Sequence, residues 1–499
     1  PTEIDFDGLE DRIRRISIPN ASESRLLWSP DSKKLAFQTS VNGSRGLYTV
    51  TFPDGLTPKR LTSTTGSWAR WLKEGNQIAW LVGGKPATMS ASGKAASFSF
   101  RVNQAVDLAA RHAAAFDVAW RTMRDRYYDG RLNNRDWDAV RAKYKPMAAR
   151  SVTPEELEQV VDMMLGELNG SHLGFSATSR RWSKPGWRET TRHLGVRFDP
   201  THEGEGLRIR DVIPGTPADQ ERHRLHAGEI VLAIDGTVVG RDTRLARLLT
   251  GAMEEPVRLK VRGTDGEART VEMRATTYGS ARSRLYDLWL EHERETVERL
   301  SEGRLGYLHV RGMNWSSFER FEAELVRVGH GKDGLVIDVR DNGGGFTTDH
   351  LLTCLVQPRH AITVPRRGGP GYPHDRMVYA AWDKPVVVLC NQNSFSNAEI
   401  FAHAVKGLGR GKVVGVQTAG GVISTGGTMI MGLGSLRLPF RGWFLRGNGE
   451  DMELNGCVPH HVLWPEPGDL AAGIDRQAAK AVEVGLEEVA AWKQRPRPK

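Results

Sequence analysis

The stretch "VVVLCNQNSFSNAEIFAHAV", Val386 to Val405, runs as strand, turn and helix without a break. An unbroken apolar run opening on three valines suits a strand buried on both faces, as in a parallel sheet covered by helices. The polar turn that follows holds Ser394 and Ser396, and a helical run begins at once. A serine at the mouth of a helix gains the positive end of the helix dipole and a nearby amide, which suits a nucleophile. It is also among the best helix N-caps. This segment alone leaves both readings open.

The surrounding zone, from Gly303 to about Pro465, repeats the pattern. "LGYLHV", "DGLVIDV", "PVVVLC" and "KVVGVQT" alternate with helical stretches, which predicts βαβ units on a largely parallel sheet. In such sheets function gathers at the carboxyl ends of the strands. A second motif falls there: "VIDVRDNGGGF" ends a strand and breaks into Gly343, Gly344 and Gly345. Glycines let backbone N–H groups approach a ligand, and in a hydrolase they can hold an oxyanion. The segment lacks the G-K-[ST] of a phosphate loop. The C-terminal "DLAAGIDRQAAKAVEVGLEEVAAWKQ" predicts an amphipathic helix packed on this sheet or on a neighbouring subunit.

The chain has 499 residues, enough for three or four domains, with 39% hydrophobic and 26% charged residues, as in globular proteins. No apolar run approaches the roughly 20 residues that cross a bilayer. The net charge of +9 comes from scattered arginine without a dense basic block, which argues against a nucleic-acid groove. Cys354, Cys390 and Cys457 are widely separated, so neither a disulfide scaffold nor a zinc site is expected, and no cofactor or metal is implied. The histidine pair His460-His461 reads as a turn or surface feature. The chain opens on Pro1 with no signal peptide, which suggests an N-terminus cut from a longer precursor.

Upstream, three further zones are legible. In the first hundred residues, "RLLWSPDSKKLAFQT" and "ARWLKEGNQIAWLV" share a form: Trp, a polar turn, then a short strand. Trp28 and Trp71 lie 43 residues apart, within the range of a β-propeller blade. Next comes a helical zone in which Phe116, Trp120, Met123 and Tyr127 share one face, with Gly130 as a stop. There "TPEELEQVVDMMLGEL" has Thr153 as N-cap and Glu155 and Glu156 in its first turn. Third is a small β-rich unit between about His193 and Arg274. It resembles a PDZ domain through "HLGV", which matches the loop that captures a peptide C-terminus, and "LHAGEIVLAIDG", a common PDZ strand-turn signature. The resemblance implies peptide binding by strand addition, with Gly195 in the capturing loop; a PDZ unit serving only as spacer or lid is the alternative.

Taken together, the D-x-R-x-N-x-G-G turn from Asp338 and the S-x-S-x-x-E-I segment from Ser394 resemble the tricorn and C-terminal-processing serine peptidases. Helical cap, PDZ insert and α/β core follow in that family's order, and the blade-like start points to the tricorn branch. The implied fold is multidomain α+β. It comprises two propeller blades at 1–103, a helical domain at 104–187, a PDZ-like domain at 188–278 and a crotonase/ClpP-like α/β catalytic domain at 279–499. By the family's pattern Ser396 is the nucleophile, and the oxyanion hole uses the amide of Asn397 and a glycine amide from the Gly343–Gly344 turn.

Processing peptidases take their base from a lysine in a T-x-G-K-G-like segment. Here that segment is "TAGGV", Gly421 stands at the lysine position, and Lys406 and Lys412 are off register. The tricorn branch uses a serine-histidine pair instead, which "GELNGSHLGF" supplies as Ser171 and His172. Its glutamate maps to Glu453 in "MELNGCVPHH", with Glu450 and Asp451 as fallbacks. The resemblance thus implies a peptidase acting on oligopeptides or unstructured segments, cytoplasmic and assembled as a homo-oligomer, a hexamer by likeness. Archaeal tricorn proteins carry aspartate after the nucleophile, which suits a basic P1 side chain. The neutral Asn397 predicts a weaker preference and is itself a candidate substrate contact. The alternatives are an inactive peptide-binding scaffold and, more distantly, a non-peptidase hydrolase or acyl-binding protein on the same core.

Overall fold

A computed structural model describes residues 3, 5–13, 21–74, 76–178, 190–357, 363, 366 and 379–495. Pro1 and the boundary expected between residues 187 and 188 lie outside them. The chain divides into two compact units, Pro1–Val106 and Asp107–Lys499.

The first unit holds two four-stranded antiparallel sheets in sequential order. Ser24–Trp28 leads the first and Ser67–Trp71 the second, so Trp28 and Trp71 end corresponding strands. The repeat is not equivalent in burial: Trp71 packs with Ile78, Trp80 and Met89, whereas Trp28 is half exposed and meets Phe52 edge-on.

The second unit begins with three helices, Leu108–Arg126, Trp137–Arg150 and Pro154–Gly166. Each is capped by an oxygen side chain: Asp107, Asp136 and Thr153 accept from the amides of Ala110, Ala139 and Glu156. Phe116, Trp120, Met123 and Tyr127 face inward against Leu157, Val161 and Met164. The first helix ends at Arg126, before Gly130. The backbone of Tyr127 turns extended at the helix end while its ring stays in the core and its hydroxyl accepts from Asn133 Nδ2, and Tyr128 reaches Asp451. The same core takes in Phe175, Ile430, Leu436 and Leu438, which join the helices to a three-stranded sheet. In that sheet strand Gly174–Ala177 pairs with Gly434–Gly442, with Gly174 opposite Arg437.

The PDZ-like unit is a sheet ordered Val196–Phe198, Leu207–Val212, Ile230–Ile234, Pro256–Arg262, Ala268–Arg274 around its own core. A long helix, Tyr278–Leu300, then leads to a five-stranded parallel sheet ordered Leu305–His309, Gly334–Asp338, Val386–Cys390, Lys412–Gly415, His461–Val462. The first three strands are buried throughout, as their unbroken apolar runs require. One face carries Trp315–Gly329, Thr348–Val356 and Asn397–Gly407. The other carries Tyr278–Leu300 and the C-terminal helix Arg476–Lys493. The C-terminal helix therefore packs on its own chain, through Ala478, Ala481, Val482 and Val489.

Candidate active site

The turn between Val386–Cys390 and Asn397–Gly407 holds Ser396 at φ 58, ψ −118. An L-residue with a side chain pays about 1–3 kcal/mol for such a backbone, so the surroundings must hold it there. They do so at four points. Phe395 N–H donates to Asn342 O, and Ser394 Oγ donates to Val339 O at 2.7 Å. Asn391 Nδ2 and Asn393 Nδ2 donate to Asp341. The amide of Ser396 itself donates to Glu399 Oε1 at 2.8 Å. Ser394, fully buried, is a turn residue.

Glu399 does more than close its own helix. Its carboxylate also accepts from the amides of Gly420 and Gly421 and from Thr418 Oγ1, which ties the Ser396 turn to the segment 418–421. Serine followed three residues later by glutamate is the capping-box pattern, a local signal by which the sequence could have singled out this role of Glu399.

The hydroxyl of Ser396 lies 2.9 Å from His172 Nε2. His172 Nδ1 lies 2.6 Å from Ser171 Oγ, which is 2.9 Å from Glu453 Oε2. Counting protons fixes the direction. The single Ser171 proton goes to the carboxylate, so Ser171 Oγ must accept from His172 Nδ1–H. Nε2 is then bare and accepts from Ser396 O–H. Glu453 is further held by the amides of Ser171 and Val422. Burial pushes its carboxyl up, while those two amides favour the ionised form. Burial, with the positive charge of Arg437, pushes the His172 imidazole down to about 4.

His172 also stacks on Phe395, ring centroids 4.7 Å apart. A Cβ at Gly421 would stand 2.1 Å from that ring. The space of a lysine side chain at residue 421 is thus filled by the aromatic that supports the histidine. Neither off-register lysine lines the cleft: Lys406 donates to Val458 O, and Lys412 reaches toward Glu488. Of the glutamate fallbacks, Asp451 braces the Glu453 amide and Glu450 is exposed beside Asn448.

The glycine turn lies against this centre; a Cβ on Gly344, at φ +89, would meet Ser396 Cβ at 2.7 Å and Asn397 N at 3.0 Å. One expectation changes here. The Gly344 N–H is already committed to Asn342 Oδ1 at 2.9 Å, so it is not a free oxyanion donor. Among the described residues no acceptor takes the amide of Gly343 or that of Asn397. Asn397 Oδ1 accepts from the Thr348 amide and is turned onto the helix Thr348–Val356.

Gly195 is not part of the site. Its N–H donates to His193 Nδ1 and its carbonyl accepts from Ile213, so it has no amide left for a peptide carboxylate. The open cleft above Ser396, about 570 Å³, is lined by His172, Gly343–Phe346, Asn397, Ile400, Ile423, Trp443 and two charged residues, Asp349 and Arg437. Sequence reading missed both charges. His460 Nδ1 accepts from the Val413 amide, a structural role. Among the described residues no cluster could hold a metal, and the three cysteines are buried thiols.

Family comparisons agree with this order of parts. The tricorn protease C1 domain matches residues 108–166, the tricorn protease PDZ domain 193–277, and peptidase family S41 304–463. A tricorn protease homolog of Streptomyces coelicolor is 33% identical over 397 residues, 77% of this chain and 36% of the relative. A tricorn protease of Thermoplasma volcanium is 26% identical, over 76% of this chain and 37% of its own length. The chain spans about a third of the length of these relatives. A crystal structure of the tricorn protease shares the fold at TM-score 0.67 and 20% identity, covering 94% of this chain and 47% of that one. In this order the chain carries regions that match the tricorn protease C1 domain, the tricorn protease PDZ domain and peptidase family S41, and it is similar to tricorn proteases over about three quarters of its length.

Proposed function

We propose that this chain hydrolyses peptide bonds of oligopeptides or unstructured protein segments through Ser396, His172, Ser171 and Glu453. The observation that carries the proposal is the unbroken hydrogen-bond line from Ser396 Oγ through His172 and Ser171 to Glu453. Ser396 Oγ bonds to the scissile carbonyl carbon as its proton passes to His172 Nε2. The carbonyl oxygen, now negative, lies between the amides of Gly343 and Asn397. His172 then gives the proton to the leaving nitrogen as the C–N bond breaks. Water, deprotonated by the same imidazole, releases the acyl group from Ser396. Ser171 and Glu453 hold the tautomer and stabilise the imidazolium, the task an aspartate performs in a Ser-His-Asp triad.

The four-stranded meander of the two N-terminal sheets and the shared place of Trp28 and Trp71 support reading them as propeller blades. A homo-oligomer and a cytoplasmic location enter the proposal by family likeness alone; sedimentation of the full chain measures the first. Turnover of unstructured peptides by the wild-type chain, lost in Ser396→Ala, tests the activity. Equal hydrolysis by the Ser396→Ala chain contradicts it.

A further inference from the structure

Two charged side chains in the cleft have no part in the chemistry above, and they flank Ser396 differently. Asp349 lies in the first turn of Thr348–Val356, which is tied to Asn397 through the Thr348 amide. It therefore belongs to the side of the oxyanion donors. Arg437 lies on strand Gly434–Gly442, directly opposite Gly174, two residues beyond His172. It therefore belongs to the side of the base.

The side of the base is where the leaving group must be. His172 Nε2 hands its proton to the leaving nitrogen, so the segment bonded to that nitrogen departs past His172. Arg437 faces that path without a partner: among the described residues its guanidinium has no ion pair or hydrogen bond. Glu453, the acidic end of the catalytic line, is taken up by Ser171 and the Val422 amide. A guanidinium presents its donors in a planar fork that fits a carboxylate with two parallel hydrogen bonds. Arg437 is exposed at the cleft wall, so the strength of such a pair rests on this fork geometry and not on burial.

We propose that Arg437 binds a carboxylate of the leaving segment, either its free C-terminus or an aspartate or glutamate side chain just beyond the scissile bond. Arg437 is then a specificity residue that favours substrates acidic on the leaving side. The inference rests on the peptidase reading for its direction along the substrate.

The test uses peptides that share one acyl half and differ beyond the cut: a neutral amide-terminated segment, the same segment as free acid, and an amide-terminated segment with glutamate next to the scissile bond. With the wild-type chain at neutral pH, at least one acidic peptide exceeds the neutral one in kcat/KM by about tenfold, the scale of a charged hydrogen-bonded pair. The peptide that shows the advantage identifies the carboxylate. In Arg437→Gln the ratio falls to about one, and Arg437→Lys keeps part of it. A wild-type ratio near one, or a ratio unchanged in Arg437→Gln, overturns the proposal. Binding of the same leaving segments to Ser396→Ala, by calorimetry, reads the contrast without turnover. There the acid binds about tenfold tighter than the amide, and adding Arg437→Gln removes the difference. Equal binding overturns the proposal, whereas a binding contrast without wild-type turnover counts against the peptidase reading alone.

Discussion

At the scale of single residues, the central quantity is the proton affinity of His172. An ordinary histidine holds its proton near 6.5, but here burial and Arg437 lower the value to about 4. The imidazole is therefore unprotonated well into acid, and if it is the proposed base the acid limb of kcat/KM is expected near pH 4 instead of 6.5. Between those values the unfolded chain binds more protons than the folded one. The resulting stability is fully present above about 6.5 and is lost as pH falls through about 4. A pH-rate profile checks the first statement; an acid limb at the ordinary histidine value contradicts it. Glu453→Gln is expected to lower kcat by about 10²–10⁴ with little change in KM, because it disturbs the tautomer and not substrate contacts. The P1 preference divides two residues. A neutral Asn397 predicts a weak preference for arginine, but Asp349 also lines the cleft, and its carboxylate has no hydrogen bond or ion pair among the described residues. Kinetics with Arg, Leu and Glu at P1 decide between them: an Arg preference that vanishes in Asp349→Asn assigns it to Asp349.

At the scale of elements, the site depends on three loops held in register by buried polar groups. Asn342 is fully buried, donating to Val310 O and accepting from the Gly344 amide. Glu399 clamps the Ser396 turn to segment 418–421. Asn342→Ala leaves the buried Val310 carbonyl and the half-buried Gly344 amide unpaired and is expected to cost about 1–3 kcal/mol in denaturant unfolding. Gly421→Ala puts a methyl into the Phe395 ring and so displaces the surface on which His172 stacks. Activity is expected to fall well beyond any loss of stability, measured by kcat beside the thermal midpoint; unchanged kcat contradicts the supporting role of Phe395. These elements also show what the sequence made legible. The Val386–Val405 pattern and the valine-rich runs gave the parallel sheet, since burial on both faces leaves a continuous apolar signature. Ser396, Ser171, His172 and Glu453 were legible through short motifs that resemble a known family. Arg437 and Asp349 were not. Arg437 enters the cleft only because strand Gly434–Gly442 pairs with Gly174–Ala177, a long-range register that no local pattern carries. The commitment of Gly344 to Asn342 and of Gly195 to His193 was hidden for the same reason: a motif gives residue types, while hydrogen-bond partners depend on the folded turn.

At the scale of the whole molecule, Pro1–Val106 and Asp107–Lys499 each have their own core, and all four residues of the proposed catalytic line lie in the second. The strand Gly174–Ala177, which follows His172, is built into a sheet with Gly434–Gly442, so helical and α/β parts share one packed interior. The segment 107–499 produced alone is therefore expected to fold cooperatively and to keep a reactive serine, as circular dichroism and active-site titration would read. The most direct measurement for the whole reading is covalent labelling by a serine-reactive organophosphonate, with the modified residue located by mass spectrometry. The expected result is one label per chain on Ser396, absent in Ser396→Ala and strongly slowed in His172→Ala. Labelling that persists in Ser396→Ala, or proceeds at the wild-type rate without His172, contradicts it.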